Sequence, residues 1–494
     1  MAGLFPKEKV AKLLALIASA ATFLISLSLY IGFDPADGGF QFKEKAVLVA
    51  RLGVNYSLGL DGLSLWLILL TTFITPLVVL GSFSEIKKNV RGYFASILFL
   101  ESAVIGTFAA TDLFLFYLFW ELMLIPAFFL IGLWGGANRV KATLKFVLFT
   151  MLGSLLMLVG LLYVTHEVKS FEYVKIFEHA FPEDVQFWCF LAFAMAFLIK
   201  VPLFPFHAWL PDAYTEAPTG GTVMLSAVLV KLGAYGLLRF CIPLFPFAAK
   251  DFAPFIMILA TAGVVHGALM ATLQTNFKRV MAYSSLSHMN LVVLGIFTFS
   301  LMGLQGSVFQ MVAHGVYVAG LFLLTGMVIE RVSSQEMPAY GGLAKAAPVL
   351  ATGFLWMMVA AVGIPGFGGF VGEILILVSA YKSSPVLALI AITGFVLAAW
   401  YLFNLFGKLF LGQLKKENLK FPDLSIREIL VLLPLAAMIL WIGLGPNLFL
   451  APMEKSLQVH VLDKLKPPPV MMDFAAQQRH FQEEVDKDKK RNGR

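Results

Sequence analysis

Cysteine is scarce in this chain, which has only Cys189 and Cys241 among its 494 residues. Two isolated cysteines cannot hold an iron–sulfur cluster or a structural zinc ion, so neither group is expected here. Both lie in apolar stretches, where we expect small buried residues and no disulfide. The sequence also lacks a phosphate-cradling glycine loop, a nucleophile elbow, a cofactor fingerprint and an HExxH zinc motif. We therefore expect no cofactor and no metal in this chain.

Charged residues are also few, at 14% of the chain against 59% hydrophobic residues and a mean hydropathy of +0.84. Soluble domains have roughly a quarter of their residues charged, so this composition is typical of a polytopic protein embedded in the lipid bilayer. The net charge of +7 does not indicate a nucleic-acid partner, because the Lys and Arg residues lie in short loops and not on one polar face.

Apolar runs of about 20 residues are long enough to cross a bilayer, and the sequence has thirteen of them. Every lipid-facing backbone must satisfy its own hydrogen bonds, so all thirteen are predicted to be helices and the fold class is an all-α polytopic membrane protein. The predicted spans are 11–33, 58–82, 92–110, 112–133, 142–165, 186–206, 219–243, 253–272, 279–300, 303–329, 348–380, 386–411 and 428–450.

The basic residues indicate the orientation of the chain, because cytoplasmic loops carry an excess of Lys and Arg. One set of alternate loops is clearly the richer, with Lys7, Lys9, Lys87, Lys88, Arg91, Arg139, Lys141, Lys278, Arg279, Arg331, Lys345, Lys415, Lys416 and Lys420. This pattern predicts a cytoplasmic N-terminus. Thirteen crossings then leave the charged tail, residues 451–494, on the outside, where we expect a partly extended arm.

Two of the predicted spans are interrupted. Pro202 and Pro205 should end the helix of span 186–206 just after Lys200, because proline lacks a backbone donor and crowds the preceding turn. Span 348–380 is too long for one straight crossing and contains the glycine-rich stretch 363–369. Broken helices in corresponding positions predict two inverted five-helix repeats, 92–243 and 253–411, flanked by helices in 1–91 and 412–450.

Six ionisable residues fall within apolar spans: Glu121, Lys200, Lys231, His288, His314 and Glu373. A charge costs several kcal/mol in lipid, so such residues usually face a hydrated interior lined by protein. Six of them, with both signs of charge and with histidines, favour a path for protons or cations. Lys200 is the natural cationic partner for Glu121, and the histidines can relay a proton through their two ring nitrogens.

Each of these residues also has a purely structural interpretation. Glu121 could be a neutral acid bonded to a neighbouring backbone, the two lysines could extend to the membrane surface, and the histidines could be hydrogen-bonded core residues. Glu373 could interact with the dipole at the start of a half-helix. His207 and His266 are weaker candidates, Glu101 is a buried acid without an assigned role, and Asp112 is expected to cap a helix.

Four segments resemble the antiporter-like subunits of respiratory complex I and the Mrp sodium/proton antiporters. They are Phe119–Pro126, residues 197–221, Leu229–Arg239 and Lys278–His288. The resemblance extends over nearly the whole chain to about residue 450. Sister subunits of the L and N types, and the Mrp subunits, are expected to carry lysine at the position of Glu373, whereas the M type carries glutamate. The acid at this position therefore favours the M-type branch.

The resemblance implies a role for each buried group. Glu121 and Lys200 would be the ion pair of the first half-channel, and Lys231 would be the connecting lysine. His288 and then His314 would continue the axis to Glu373, the terminal group of the second half. The chain would be a proton-translocating subunit of NADH-quinone oxidoreductase in the cell inner (plasma) membrane. Redox chemistry would belong to other subunits, so this chain would hold no cofactor.

The same resemblance implies as partners the L-type and N-type antiporter-like subunits, including the lateral helix of the L type. Three alternatives stay open: an Mrp-type cation/proton antiporter subunit, a subunit of a membrane-bound hydrogenase or ferredoxin-linked complex, and a structural spacer with a vestigial polar axis. The family usually begins with one further helix, and we expect that helix to be missing here because the first span starts at Ala11.

Overall fold

The computed structural model describes residues 8–466. Its helices in the first half of the chain are α1 Glu8–Ile31, α2 Gly62–Glu85, α3 Val90–Ala109, α4 Leu113–Leu122, α5 Leu124–Trp134, α6 Arg139–Val168, α7 Tyr173–Glu178, α8 Glu183–Lys200, α9 Leu210–Glu216 and α10 Thr219–Leu244. In the second half they are α11 Pro246–Thr272, α12 Phe277–Ile296, α13 Leu301–Val332, α14 Pro348–Val362, α15 Gly368–Ser383, α16 Pro385–Phe410, α17 Ile426–Leu444 and α18 Pro446–Leu457.

Ten helical segments in residues 8–466 are long and apolar enough to cross a membrane, so the chain is a multi-pass membrane protein, although the predicted number of thirteen is not confirmed. Helices also occupy the other three predicted spans, 186–206, 279–300 and 348–380. Among these, α8 and α12 carry several charged or polar residues, and α14 and α15 are each shorter than a full crossing. These helices depend on burial against neighbours more than on contact with lipid.

The two predicted interruptions are confirmed. Helix α8 ends at Lys200, just before the two prolines. Helix α14 ends at Val362, where Gly363 adopts a left-handed conformation with φ of 79°, and α15 starts at Gly368. The structure has a third interruption that the sequence analysis did not predict: the span 112–133 is divided at Met123 into α4 and α5.

Between α1 and α2 lies a β-hairpin that the sequence analysis did not predict. Strands β1 (Gln41–Val49) and β2 (Val54–Leu60) pair antiparallel, with Gln41 opposite Leu60. The strands have alternating polar and apolar residues only in part, and β1 is exposed along nearly its whole length. Helix α2 then starts at Gly62, because Oδ1 of Asp61 accepts a hydrogen bond from the backbone N of Ser64 at 3.0 Å and caps the helix.

The C-terminal prediction needs a correction. Residues 446–465 are helical and do not form an extended arm: α18 is followed by a π-helical turn, Gln458–Leu462, and by the short helix Asp463–Leu465. Helix α18 crosses the start of α2 at close range, since a Cβ atom on Gly62 would lie 1.9 Å from the carbonyl oxygen of Pro452. The remainder of the predicted tail lies outside the described residues.

The interior of the bundle is built around α2, α10 and α13. All residues in the apolar window of α10 are buried, and α13 and α2 are buried almost as completely, whereas α1, α16 and α17 face outward. Helix α10 contains two π-helical segments, Leu225–Leu229 and Leu237–Cys241. Such segments release backbone carbonyl groups from the regular helical pattern and are frequent at functional sites.

Candidate functional site

Lys231 follows the first π-helical segment of α10 and lies at the centre of the site. Its side chain is fully buried, and Nζ donates a hydrogen bond to the carbonyl oxygen of Ser226 at 2.6 Å. Ser226 lies within the π-helical segment, where the wider turn makes its carbonyl oxygen accessible to the lysine. The irregular backbone therefore supplies an acceptor for an ammonium group that is remote from water.

Lys231 and His314 are in direct contact. Nζ of Lys231 lies 2.6 Å from Nδ1 of His314, and Nε2 of His314 has no hydrogen-bond partner among the described residues. A contact this short between two basic groups needs one hydrogen between them, carried either by the ammonium or by the imidazole. The pair can therefore share and exchange one proton.

Helix α13 presents three polar side chains on one face: Gln310, His314 and Tyr317. They are four and three positions apart, which is the spacing of neighbours on one side of a helix. The ring of Tyr317 lies 5.2 Å from that of His314 and 5.7 Å from that of His288, and the two histidine rings are 5.9 Å apart. Both histidines thus meet at this tyrosine.

The spatial order of the histidines corrects the order expected from the sequence. His314 contacts Lys231, and His288 contacts Glu373, whose Oε1 lies 3.4 Å from its Nε2. The expected order along the axis, His288 and then His314, is reversed. The reason is that α13 packs against α10 at the level of Lys231, whereas His288 on α12 faces the break between α14 and α15.

His288 has an acceptor at each ring nitrogen. Nδ1 lies 2.8 Å from the carbonyl oxygen of Ser284, and Nε2 lies 3.2 Å from that of Ala361. Carbonyl oxygens cannot donate, so both contacts are satisfied together only when both nitrogens carry hydrogen. The surroundings therefore offer an acceptor to each ring nitrogen of His288, with Glu373 beside Nε2.

Glu373 is buried in α15, near the second helix break. Its Oε1 accepts a hydrogen bond from Nε2 of Gln310 at 3.3 Å, and the same nitrogen lies 3.3 Å from the hydroxyl of Tyr317. The carboxylate also lies against Gly363, where a Cβ atom would be 2.2 Å from Oε2. A residue without a side chain at the end of α14 therefore gives Glu373 its space.

Lys200 and Glu121 do not form the expected contact ion pair. In the part of the chain that the structure describes, Nζ of Lys200 has no hydrogen-bond partner and no carboxylate within 4.0 Å, and Oε1 of Glu121 is also unpartnered. The ammonium instead lies over the rings of Trp120 and Phe146, 5.2 and 5.7 Å from their centroids. Aromatic faces attract a cation, so Lys200 is held beside Glu121 without touching it.

The end of α8 that carries Lys200 packs directly on the helix that carries Lys231. A Cβ atom on Gly233 would lie 2.5 Å from the carbonyl oxygen of Phe197 and 2.6 Å from the backbone N of Val201. The two lysines therefore belong to adjoining turns of two helices that are in backbone contact.

A polar cavity lined by Lys141, Asp212, Glu216 and Arg279 opens near the loop that follows the first break, and the sequence analysis did not predict it. Asp212 in this cavity accepts hydrogen bonds from Lys145 at 2.8 Å and from Arg279 at 3.0 Å. Burial alone would raise the pKa of Asp212, but these two cations hold it below its usual range. His207 lies earlier in the same loop, with its ring centroid 4.9 Å from that of His266.

A second buried group of charges was missed, at the face that carries the hairpin. Nη2 of Arg239 lies 2.5 Å from Oδ1 of Asp61, and Nε2 of His460 lies 3.9 Å from Oδ2 of Asp61. Nη1 of Arg239, Oδ2 of Asp61 and both ring nitrogens of His460 have no hydrogen-bond partner within residues 8–466. Arg239 lies inside a predicted apolar span, so its charge was a signal that could have identified this site.

The structure also bears on three smaller expectations. Asp112 caps α4, since its Oδ1 accepts hydrogen bonds from the backbone N of Phe114 and of Leu115. Cys189 and Cys241 are buried and free. Glu101 is buried with its Oε1 unpartnered in the described structure, and its role stays unassigned.

Comparison with known families identifies the fold. Residues 110–439 match the profile of the NADH:quinone oxidoreductase/Mrp antiporter transmembrane family, and residues 45–107 match the amino-terminal family of NADH-ubiquinone oxidoreductase chain 4. These matches define a class of antiporter-like membrane proteins. The chain belongs to the NADH:quinone oxidoreductase/Mrp antiporter family, as the four sequence segments predicted.

Among curated relatives, the chain is similar to NADH-quinone oxidoreductase subunit M of Rickettsia prowazekii, with 39% identity over 89% of this chain and 90% of the relative. It is similar to subunit M of Rhodobacter capsulatus, with 41% identity over 89% and 88%. These relatives confirm the predicted M-type resemblance.

Solved structures agree. A chain of respiratory complex I from Thermus thermophilus, solved with bound NADH, has a TM-score of 0.86 and 35% identity over 92% of this chain and 96% of that chain. A chain of the Mrp complex from Dietzia has a TM-score of 0.83 over 92% and 93%, at 19% identity, which supports the common fold alone.

Proposed function

We propose that this chain is a proton-translocating membrane-arm subunit of a bacterial NADH-quinone oxidoreductase. The observation that carries the proposal is the connected series Lys231, His314, His288 and Glu373, whose members are 2.6 Å, 5.9 Å between rings and 3.4 Å apart in turn. Four titratable groups in such a series, buried between helices, suit the stepwise transfer of a proton.

The transfer would start at the Lys231–His314 contact. A proton shared between Nζ and Nδ1 enters the imidazole at Nδ1, and the imidazole releases a proton from Nε2, the nitrogen that has no partner in the described residues. A hydrogen-bonded water between His314 and His288, whose ring centroids are 5.9 Å apart, would continue the path. His288 would then hold the proton as an imidazolium before Glu373 receives it.

Glu121 and Lys200 would control the supply of protons to Lys231. When the carboxylate approaches the ammonium, the charged lysine is stabilised; when it withdraws, the lysine releases its proton towards Lys231. At an effective dielectric constant of about 20, a change in charge separation from about 4 to 8 Å alters the interaction by about 2 kcal/mol. This corresponds to roughly thirtyfold in a protonation equilibrium, which suffices to gate transfer but not to drive it.

The driving energy would come from redox chemistry in other subunits, since we expect no cofactor in this chain. Partners would be the L-type and N-type antiporter-like subunits, including the L-type lateral helix. The two helix breaks support the proposed division into inverted repeats, 92–243 and 253–411. We further propose a location in the cell inner (plasma) membrane with the N-terminus in the cytoplasm, in keeping with the distribution of basic residues.

The proposal is tested by replacing Lys231 with alanine in the assembled complex reconstituted in vesicles. NADH oxidation and proton uptake are measured together, and assembly is checked by native electrophoresis. We expect loss of proton pumping and a strong fall in turnover. Lys408, an exposed lysine on α16, supplies the control, since Lys408→Ala should pump normally.

Other outcomes would contradict the proposal. Normal pumping stoichiometry with Lys231→Ala would identify a structural spacer. Sodium-dependent transport by the chain without a redox partner would identify an Mrp-type antiporter subunit. Transport driven by hydrogen evolution or by ferredoxin, with no response to NADH, would assign the chain to a hydrogenase-like or ferredoxin-linked complex.

A further inference from the structure

The helix break after Lys200 leaves backbone groups that need partners inside the membrane. Pro202 and Pro205 have no backbone N–H. The last regular hydrogen bond of α8 is that of Val201 to Phe197, and Leu203 donates to Leu198, five positions back. Irregular backbone at this depth persists only where protein or water satisfies it. The question is which side chain holds the loop.

Asn290 on α12 provides two of these contacts. Its Nδ2 donates to the carbonyl oxygen of Pro202 at 3.1 Å, and its Oδ1 accepts from the backbone N of Phe204 at 3.2 Å. The second hydrogen of Nδ2 is donated to the carbonyl oxygen of Leu286 on its own helix, at 2.8 Å. Asn290 is fully buried, and both of its donor hydrogens are used.

The surrounding helix leaves space for this amide. A Cβ atom on Gly263 of α11 would lie 1.9 Å from Oδ1 and 2.3 Å from Cγ of Asn290. Any larger residue at position 263 would push the amide away from the loop. The site is therefore built by three elements: the broken end of α8, helix α12 and the glycine of α11.

Asn290 lies two positions after His288 on the same helix, so it connects the two halves of the proposed path. One end of the connection is the loop that begins directly after Lys200, and the other is the helix that carries His288. We infer that Asn290 is a positioning residue that couples the location of Lys200 to that of His288. A movement at the first helix break is then transmitted to the second half through this amide. The inference rests on the proposed function.

The test uses the assembled complex in vesicles, with Asn290→Ala and the nearly isosteric Asn290→Asp, which keeps an acceptor but loses both donated hydrogen bonds. We expect the number of protons pumped per NADH to fall, because each unmade hydrogen bond of a buried group disfavours the ordered loop by roughly tenfold. We also expect the pH profile of pumping to change, because Lys200 and His288 would respond to protons separately. If Asn290→Ala fails to assemble, Asn290→Asp decides the question.

Ser287 supplies a matched control, since it lies on the same helix and donates one buried hydrogen bond, to the carbonyl oxygen of Val264 at 2.8 Å, without touching the loop. Ser287→Ala should retain the stoichiometry and the pH profile. Gly263→Ala should reproduce the effect of Asn290→Ala.

The inference is overturned if both Asn290 variants keep the stoichiometry and the pH profile. It is also overturned if their only effect is a smaller amount of assembled complex, with turnover reduced in the same proportion. That result is distinct from failure of the proposed function, which is decided by Lys231→Ala alone.

Discussion

Gly363 and Glu373 are in contact across the second helix break: a Cβ atom on Gly363 would lie 2.2 Å from Oε2 of Glu373, and Gly363 has a φ of 79°. The glycine thus meets two requirements at once, a left-handed backbone and an open space for a buried carboxylate. Gly363, at the end of α14, therefore determines the space in which Glu373 of α15 lies.

Gly363→Ala should impair proton pumping through displacement of Glu373. The left-handed backbone alone costs about 1–2 kcal/mol with a side chain, and movement of a reacting group by about 1 Å can reduce a rate by up to a hundredfold. Pumping is measured in vesicles beside NADH oxidation. Gly366 is the control, because it also has positive φ, at 96°, but a Cβ atom there meets nothing within 4 Å. Equal losses in both variants would mean that backbone strain alone is responsible.

His314→Gln should abolish pumping while the complex still assembles. Glutamine can keep a hydrogen bond to Lys231 but cannot pass a proton from one side of its amide to the other, and removal of a proton-transfer group typically costs a hundredfold or more, up to about 10⁴. The measurement is proton uptake at a matched amount of assembled complex. His179→Gln, at an exposed position in a loop, should behave as the unchanged protein. Pumping retained by His314→Gln would remove this histidine from the path.

Asp61→Asn should destabilise the chain. Removing one member of a buried ion pair leaves the other charge without a partner and typically costs about 3–5 kcal/mol. The amount of assembled complex and its thermal inactivation would report the loss. Asp463→Asn is the control, because its pair with Lys466 is exposed and contributes about 0–1 kcal/mol. Similar stability of the two variants would show that Arg239 finds another partner.

Asp212→Asn should slow pumping, because Arg279 in the polar cavity and Lys145 beside Asp212 lose their carboxylate partner and their positive charge repels incoming protons. The cations hold the pKa of Asp212 below its usual range, so the carboxylate is ionised throughout neutral pH. The loss should therefore be of similar size between about pH 6 and 8. A loss that appears only at one end of this range would implicate another titrating group.

The sequence predicted the features that depend on local chemistry. The prolines after Lys200 and the glycines after Val362 end their helices regardless of how the rest of the chain packs. Both breaks were therefore predictable. Charges in apolar segments likewise identified Lys231 and Glu373, and Arg239 carried the same signal without being used.

Features that depend on how helices meet were beyond the sequence. The order of His314 and His288 depends on which face of α13 packs on α10, and chain order contains no information about this. The hairpin and the helical 446–465 segment owe their structure to packing on the bundle, since isolated short elements are unstable. Polar partners such as Asn290 and Gln310 become recognisable only when their acceptors, from distant segments, are known.

The Asp61–Arg239 pair has a consequence for biosynthesis. The two residues are 178 positions apart, so Asp61 leaves the ribosome long before its guanidinium partner exists. Until α10 is inserted, the carboxylate must stay in contact with water, because an isolated ion is far too costly to bury. His460 reaches the same cluster later still, because it follows Arg239 in the chain. The face of the protein that carries the hairpin is therefore sealed only after α18 and the turn that carries His460 have emerged.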